Sequence, residues 1–202
     1  MRRLITTTFV TLDGVMQAPG GREEDESSGF TYGGWQAPFP DDAVGAFINE
    51  TMNRPFDLLL GRKTYDIFAG YWPFHVDNPI GVAFEKATKY VASRSQIDLK
   101  WKGSRLIEGD VNEYLRHLKQ DDGSDLHVWG SGDLIQTLLR GDVIDEMRVL
   151  TYPIVVGPGK RLFDGESAAR TFTVTKTSIA QNGVIMAAYQ PAGEVETGTV
   201  GE

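Results

Sequence analysis

Residues 125–139 most constrain the fold of this chain, because they combine a short apolar run, a glycine turn and a helical pattern. Leu126, Val128 and Trp129 form a run bounded by turn residues, which is typical of a buried strand. The apolar residues that follow recur at helical spacing, on one face: Leu134, Ile135, Leu138 and Leu139. The stretch therefore predicts a strand–turn–helix unit.

The turn in this unit has the composition of an anion-binding turn. Gly130 and Gly132 permit a sharp change of chain direction and a close approach of another molecule. The helix that follows directs free N–H groups and the positive end of its dipole at one point, which suits a phosphate. A tight turn that binds no ligand is the alternative, because short glycine patterns are common.

Two further junctions have the same character. Residues 57–60 predict a strand that leads into a glycine turn with two cations, and residues 89–93 predict a strand that ends in Ser93-Arg94-Ser95. Ligands of open α/β sheets lie beyond the carboxyl ends of the strands, so one dinucleotide with a 2′-phosphate could use all three junctions. The residues assigned to it are Gly61, Arg62, Lys63, Thr64, Ser93, Arg94, Gly130, Ser131, Gly132 and Asp133. For Arg62 or Arg94 alone, surface solvation is the alternative.

Strand and helix patterns alternate along the rest of the chain. The pattern predicts an α/β sheet that is parallel in its middle and ends in an antiparallel hairpin around Asn182-Gly183. A long strand is predicted over residues 145–156, with a bulge or a sheet edge at Pro153. Residues 1–191 are expected to form one domain, and the polar residues 192–202 a disordered tail.

Composition excludes several classes of protein. The net charge of −8 argues against nucleic-acid binding, which needs a basic surface. The absence of cysteine removes thiol nucleophiles and cysteine-bound zinc, and no metal site is predicted. No apolar run approaches the roughly 18–20 residues of a membrane helix, and the N-terminus fits a strand better than a secretion signal. A cytoplasmic protein without nucleic-acid or membrane partners is expected.

Residues 15–35 form a long loop rich in glycine and acidic side chains. Loops of this length inside a compact domain are usually functional or mobile. The sequence leaves open a lid over a ligand and a solvated surface excursion.

The order of these motifs resembles the dihydrofolate reductase-like superfamily, and most closely the reductase domain of bacterial riboflavin biosynthesis, the RibD C-terminal domain. The resemblance covers Arg3 to about Tyr189. It rests on Thr11–Val15, Leu59–Tyr65, Val91–Ser95, Trp129–Gly132 and Pro153–Phe163. It implies a dihydrofolate reductase-like three-layer sandwich, with a mostly parallel central sheet, helices on both faces and a C-terminal antiparallel hairpin.

The same resemblance implies an NADPH-dependent reductase. Arg62 would favour the 2′-phosphate, Ser93 and Arg94 would flank the adenosine, and the 130–132 turn would hold the pyrophosphate. Backbone near Thr8 and Phe9 would face the nicotinamide. The loop after Asp13 would be the mobile lid.

The substrate half of the resemblance is carried by fewer residues. Trp35 and Phe47 match substrate-binding positions of folate reductases, and Asp42 is preferred over Asp41 as the catalytic carboxylate that would hydrogen-bond a pterin edge. A plain helix cap is the alternative for that carboxylate. Thr151 matches the threonine that supports it, although a strand threonine needs no such role.

One position departs from the folate reductases. Where those enzymes carry an arginine for the glutamate tail of folate, this chain has Ala87, with only Lys86 and Lys89 nearby. The expected activity is therefore hydride transfer from NADPH to a pyrimidine- or pterin-like heterocycle, similar to 5-amino-6-(5-phosphoribosylamino)uracil reductase. Dihydrofolate reductase and a non-catalytic NADPH-binding sensor are the alternatives. Because related domains often pair through the terminal hairpin, a homodimer is expected.

Overall fold

The structure is a computed structural model that describes residues 1–164 and 167–201. Within these residues, eight strands form one sheet in the order β4-β3-β2-β5-β1-β6-β8-β7. The strands are β1 (Leu4–Thr11), β2 (Phe56–Gly61), β3 (Lys89–Ala92), β4 (Ser104–Leu106), β5 (Asp125–Trp129), β6 (Glu146–Tyr152), β7 (Thr171–Ile179) and β8 (Ile185–Gly193). The first six are mutually parallel, and β8 is antiparallel to both β6 and β7.

In the part of the chain that the structure describes, five α-helices cover the two faces of this sheet. They are α1 (Asp42–Met52), α2 (Arg62–Tyr71), α3 (Pro79–Lys86), α4 (Val111–Gln120) and α5 (Gly132–Arg140). Polar side chains begin three of them: Asp41 caps α1, Asn78 caps α3 and Asp110 caps α4. Leu138 and Ile135 pack with Leu126 and Val128 on one face of the sheet, whereas Phe47 and Tyr65 belong to the clusters on the other. The α/β three-layer prediction is confirmed.

The boundaries near the C-terminus differ from the prediction in two places. Strand β6 ends at Tyr152 and does not continue through residues 153–156, because Pro153 has no N–H group to donate to the ladder. Strand β8 stays paired with β7 as far as Gly193, which lies opposite Thr171. The hairpin therefore extends two residues beyond the predicted domain end at residue 191. The hairpin turn itself lies at Gly183, whose φ of +86° suits glycine.

Within residues 1–164 and 167–201, no helix has the length and apolar character needed to cross a membrane.

Candidate functional site

The structure brings the three strand-end junctions together. The backbone N–H of Gly61 donates to Ser131 Oγ at 3.0 Å, and that hydroxyl donates to Thr64 Oγ1 at 2.7 Å. Arg94 reaches across to Asp133, with 3.8 Å between Nη2 and Oδ2. Residues 61–64, 93–94 and 130–133 are called the cofactor corner below. Strands β2 and β5 are neighbours in the sheet, which is why their following turns touch.

Two helix N-termini open into this corner without a side-chain cap. Gly61 precedes α2 and Ser131 precedes α5, and neither supplies a capping hydrogen bond. The Ser131 hydroxyl cannot cap its own helix because it bonds to the β2–α2 turn. Gly130 and Ser131 both have φ of +64°, an unusual conformation for serine. Backbone donors and helix dipoles of two helices therefore converge where an anion can bind.

The predicted cations lie at the rim of the corner. Arg62 pairs with Asp66 on its own helix at 2.7 Å, and both side chains are about half exposed. Arg94 is almost fully exposed, at 97%. Lys63 is engaged by Asp25 of the long loop, with 2.6 Å between Nζ and Oδ1. Each of the three cations thus has a carboxylate partner, but the partners of Arg62 and Arg94 are exposed, whereas Lys63 is held by the mostly buried Asp25.

Asp25 also binds a second lysine, so the loop is held by a cluster that we call the loop clamp: Asp25, Ser27, Lys63 and Lys160. The Asp25 Oδ2 atom lies 2.8 Å from Lys160 Nζ, and both lysines donate to the Ser27 hydroxyl. Burial alone raises the pKa of Asp25, but the hydrogen bonds from Lys160 and Lys63 outweigh it and hold that pKa well below its ordinary value. The sequence analysis did not single out Asp25 or Lys160, because they are 135 positions apart in the chain.

The two ends of the long loop are packed into the protein. The Gln17 side-chain amide donates to the backbone oxygens of Asp25 and Ser27. The Trp35 indole N–H donates to the backbone oxygen of Gln17 at 2.8 Å. Met16 is buried so close to the α5 turn that a Cβ on Gly132 would lie 3.1 Å from its sulfur. The loop is therefore not fully solvated. Its first residues lie against the cofactor corner.

Phe9 links the cofactor corner to the rest of the site. Its ring lies 6.2 Å from Trp129, the last residue of β5, and 6.3 Å from Tyr152, the last residue of β6. Thr8 is buried on the opposite face of β1, because successive strand residues alternate. Of the two residues predicted near the nicotinamide, Phe9 is therefore the one whose side chain lies between Trp129, just before the corner, and Tyr152.

A pocket of about 330 Å³ lies beyond Phe9, on the Tyr152 side. This volume is at the lower end of the range typical of small-molecule sites. We call it the Tyr152 pocket; its lining residues are Gly20, Gln36, Ala37, Phe39, Pro40, Asp41, Val44, Gly45, Ile48 and Tyr152. The sequence analysis missed Tyr152, and its signal was weak: one aromatic residue before a proline at a strand end.

The predicted substrate residues take different positions around this pocket. Trp35 is buried with its ring edge 5.3 Å from Tyr152, so it supports the pocket from behind. Phe47 faces β6, where the Arg148 guanidinium lies 3.9 Å from its ring centre. The turn of α1 that lines the pocket carries Val44 and Ile48 instead.

The two candidate carboxylates are separated by the start of α1. Asp41 lines the pocket and accepts a hydrogen bond from the Ala43 N–H at 2.8 Å, which makes it the helix cap. Asp42, preferred by the sequence analysis, is exposed and is not among the lining residues. The helix cap and the carboxylate that lines the pocket are thus the same residue, Asp41. Its other oxygen accepts a longer bond, 3.4 Å, from Asn182 N in the hairpin turn.

Thr151 lies on the wrong face of β6 for the role implied by the resemblance. Leu150 and Tyr152 pack in the cluster beneath α1, whereas Val149 packs with the α5 cluster. Alternation along the strand places Thr151 with Val149, away from α1. The Thr151 side chain therefore cannot contact Asp41, and the β6 residue that lines the pocket is Tyr152.

A protein-family comparison bears directly on this architecture. The model of the RibD C-terminal domain family matches residues 2–186. The chain belongs to the RibD C-terminal domain family. Among curated proteins, an uncharacterised protein of Bacillus subtilis, YyaP, is similar to this family member, with 27% identity over 192 residues that cover 93% of this chain and 94% of YyaP.

Solved structures share the fold of this RibD C-terminal domain. A putative riboflavin biosynthesis protein from Shewanella sp. PV-4 superposes with a TM-score of 0.69 and 21% identity, over 94% of this chain and 99% of that one. Dihydrofolate reductase from Enterococcus faecalis, complexed with NADP(H) and RAB-propyl, superposes with a TM-score of 0.60 and 15% identity, over 94% and 96% of the two chains. The protein therefore has the reductase-type fold common to both groups, as the resemblance implied.

Proposed function

We propose that the protein is an NADPH-dependent reductase that transfers hydride to a pyrimidine- or pterin-like heterocycle. The observation that carries the proposal is the cofactor corner, where the uncapped starts of α2 and α5 meet beside Arg62 and Arg94. The NADP(H) present in the Enterococcus faecalis dihydrofolate reductase structure supports the choice of nucleotide.

The residues of the corner fit the parts of such a cofactor. Backbone N–H groups after Gly61 and around the 130–132 turn would hold the pyrophosphate, because helix N-termini favour anions. Arg62 or Arg94 would hold the 2′-phosphate by charge-assisted hydrogen bonds. When bound, the nicotinamide supplies hydride; Phe9 and the walls of the Tyr152 pocket orient the acceptor ring and exclude water from it.

The titration of NADPH and NADH, followed by nucleotide fluorescence, tests the proposal. We expect clear preference for NADPH, and Arg62→Ala or Arg94→Ala should each weaken NADPH binding about tenfold or more while leaving NADH binding nearly unchanged. Arg54→Ala is the matched control, because Arg54 is exposed before β2, at the opposite end of that strand. Equal binding of the two nucleotides would contradict the assignment of the cations, and absence of binding would contradict the proposal.

Folate itself is disfavoured as the substrate by the surroundings of Ala87. Ala87 is buried at the end of α3, and the nearby Lys89 is fully buried with its ammonium group donating to the Glu85 and Lys102 carbonyl oxygens at 3.0 Å. Lys89 is therefore committed to the core and cannot reach a glutamate tail. A heterocycle without that tail fits the chain better than dihydrofolate.

We also propose that two copies pair through the outer hairpin strand. β7 is the last strand of the sheet, and its side chains are almost all exposed, including Val174 at 53% and Ile179 at 72%. Open strand edges are usually covered in native proteins. Light scattering should give the mass of a homodimer, and a monomeric mass would refute this pairing.

A further inference from the structure

Tyr152 is the feature of the Tyr152 pocket that the fold does not explain. Its side chain is fully buried at the end of β6, and its hydroxyl has no hydrogen-bond partner at bonding geometry in the described part of the chain. A buried hydroxyl without a partner costs stability, so native proteins seldom retain one without a use.

The ring of Tyr152 is held too firmly for the hydroxyl to find a partner elsewhere. Trp35 and Phe39 pack edge-on against it, with ring centroids 5.3 and 5.7 Å away, and Phe9 lies 6.3 Å away on the cofactor side. The Gln36 side chain, which also lines the pocket, interacts with the hydroxyl but makes no hydrogen bond of normal geometry with it. The hydroxyl is thus fixed at the wall of the pocket.

The charge of the pocket restricts that ligand further. None of the described residues that line it is a lysine, arginine or histidine. The start of α1, which would attract an anion, is closed by the Asp41 carboxylate through its bond to the Ala43 N–H. A phosphate in this pocket would meet a negative charge and no cation, whereas the cations Arg62, Lys63 and Lys160 lie at the cofactor corner and loop clamp.

We propose that Tyr152 donates a hydrogen bond to a carbonyl oxygen or ring nitrogen of an uncharged planar heterocycle, and that the pocket excludes phosphorylated substrates. This inference rests on the proposed function, whose substrate class it narrows. Asp41 and Gln36 accept from the amino or N–H edge of the same ring. The substrate is then a free pterin- or pyrimidine-type ring, in contrast to the phosphoribosyl compound that the sequence resemblance implied.

The ionisation of Tyr152 is consistent with this role. Burial raises the pKa of Tyr152 to about 12, against a smaller opposing effect of Gln36. The hydroxyl therefore keeps its proton, and remains a donor, throughout the neutral and mildly alkaline range.

Fluorescence titration of the full-length protein, saturated with NADPH, tests the inference with 6-hydroxymethylpterin and its monophosphate. We expect the uncharged pterin to bind at least tenfold more tightly than the phosphate ester. Tyr152→Phe should weaken pterin binding about tenfold, the fold-change expected for one lost hydrogen bond, and leave NADPH binding unchanged. Tyr189→Phe is the matched control, because Tyr189 packs on the opposite face of the sheet.

Two further variants separate ligand binding from folding. Tyr152→Phe should keep or slightly raise the melting temperature without ligand, since it removes an unpaired hydroxyl; a clear fall would show a structural role and overturn the inference. Ala37→Lys adds a cation to the exposed rim of the pocket and should improve binding of the phosphate ester.

The remaining outcomes are also decisive. NADPH binding with no pterin binding, equal affinity for the two pterins, or unchanged pterin binding by Tyr152→Phe would each overturn the inference and leave the cofactor proposal standing. Pterin binding without NADPH binding would refute the proposed function and retain the pocket assignment.

Discussion

The cofactor corner and the Tyr152 pocket lie on either side of Phe9, yet the corner is lined by polar and charged groups and the pocket mainly by apolar ones. The corner consists of three strand-end turns with exposed cations and free helix N-termini. The pocket consists of aromatic rings, a capped helix and a loop, with Asp41 as the one charged side chain among its described lining residues.

This difference shows how one cleft can handle two kinds of ligand. In the proposed function, an anionic nucleotide would be held by donors and charges at the exposed rim, where the free-energy cost of desolvating them is small. A flat uncharged ring would be held by apolar walls and by a few fixed polar groups. Substitutions on one side of the cleft therefore test whether the other side responds.

The largest effect is expected at Ser131, which joins two turns of the corner. Ser131→Ala removes its bonds to Gly61 and Thr64, so the free energy of unfolding should fall by about 2 kcal/mol and NADPH should bind at least tenfold more weakly. Ser131→Gly loses the same bonds but relieves the positive φ, and should be about 1 kcal/mol more stable than the alanine variant.

Chemical denaturation and NADPH titration measure both quantities. Ser178→Ala, an exposed hydroxyl deletion on β7, is the control. If Ser131→Ala also weakened pterin binding, the corner and the pocket would be mechanically coupled. That result would contradict the view that they bind their ligands independently.

A smaller effect is expected at Asp25 in the loop clamp. Asp25→Asn should lower the free energy of unfolding by about 1 kcal/mol at pH 7, since its lysine partners are about half exposed. Because Lys63 is released from its carboxylate, NADPH affinity should rise several-fold in the same variant. The loop clamp would thus be seen to compete with the cofactor for one cation.

The pH dependence gives an independent check on Asp25. A depressed pKa in the folded state means that the carboxylate stabilises the protein above the unfolded value, about 3.9, and loses this effect as pH falls through the folded value. The stability difference between wild type and Asp25→Asn should therefore be constant near neutrality and shrink below about pH 4. Glu26→Gln, an exposed neighbour, should show no such difference.

The smallest effects distinguish Asp41 from Asp42. Asp41→Ala should cost about 1 kcal/mol of unfolding free energy by removing the cap of α1, whereas Asp41→Asn keeps the cap and should lose pterin affinity only. Asp42→Asn should change pterin affinity little, because Asp42 is exposed outside the pocket. A loss of pterin binding by Asp42→Asn with no loss by Asp41→Asn would restore the original preference for Asp42.

The sequence was sufficient for the parts of the site that are local. Gly61 and Gly130 follow apolar runs and precede helical patterns, so the meeting of their turns followed from the rule that parallel strands end at one edge. The choice between Asp41 and Asp42 was not local, because the two residues are consecutive at the start of α1 and a step of one residue turns a side chain by about 100°, here from pocket to solvent. The face occupied by Thr151 likewise depended on the register of β6, which pattern alone did not fix.

What the sequence by itself determined is the α/β order, the strand-end turns that meet in the cofactor corner and the family to which the chain belongs. Only the tertiary structure decided which side chains share the Tyr152 pocket and the loop clamp. Asp25 and Lys160, or Gln36 and Tyr152, are more than 100 positions apart, and no periodicity records their contact. Hydrogen bonding and apolar packing act through space, so partners distant in sequence become visible only once the sheet has set their positions.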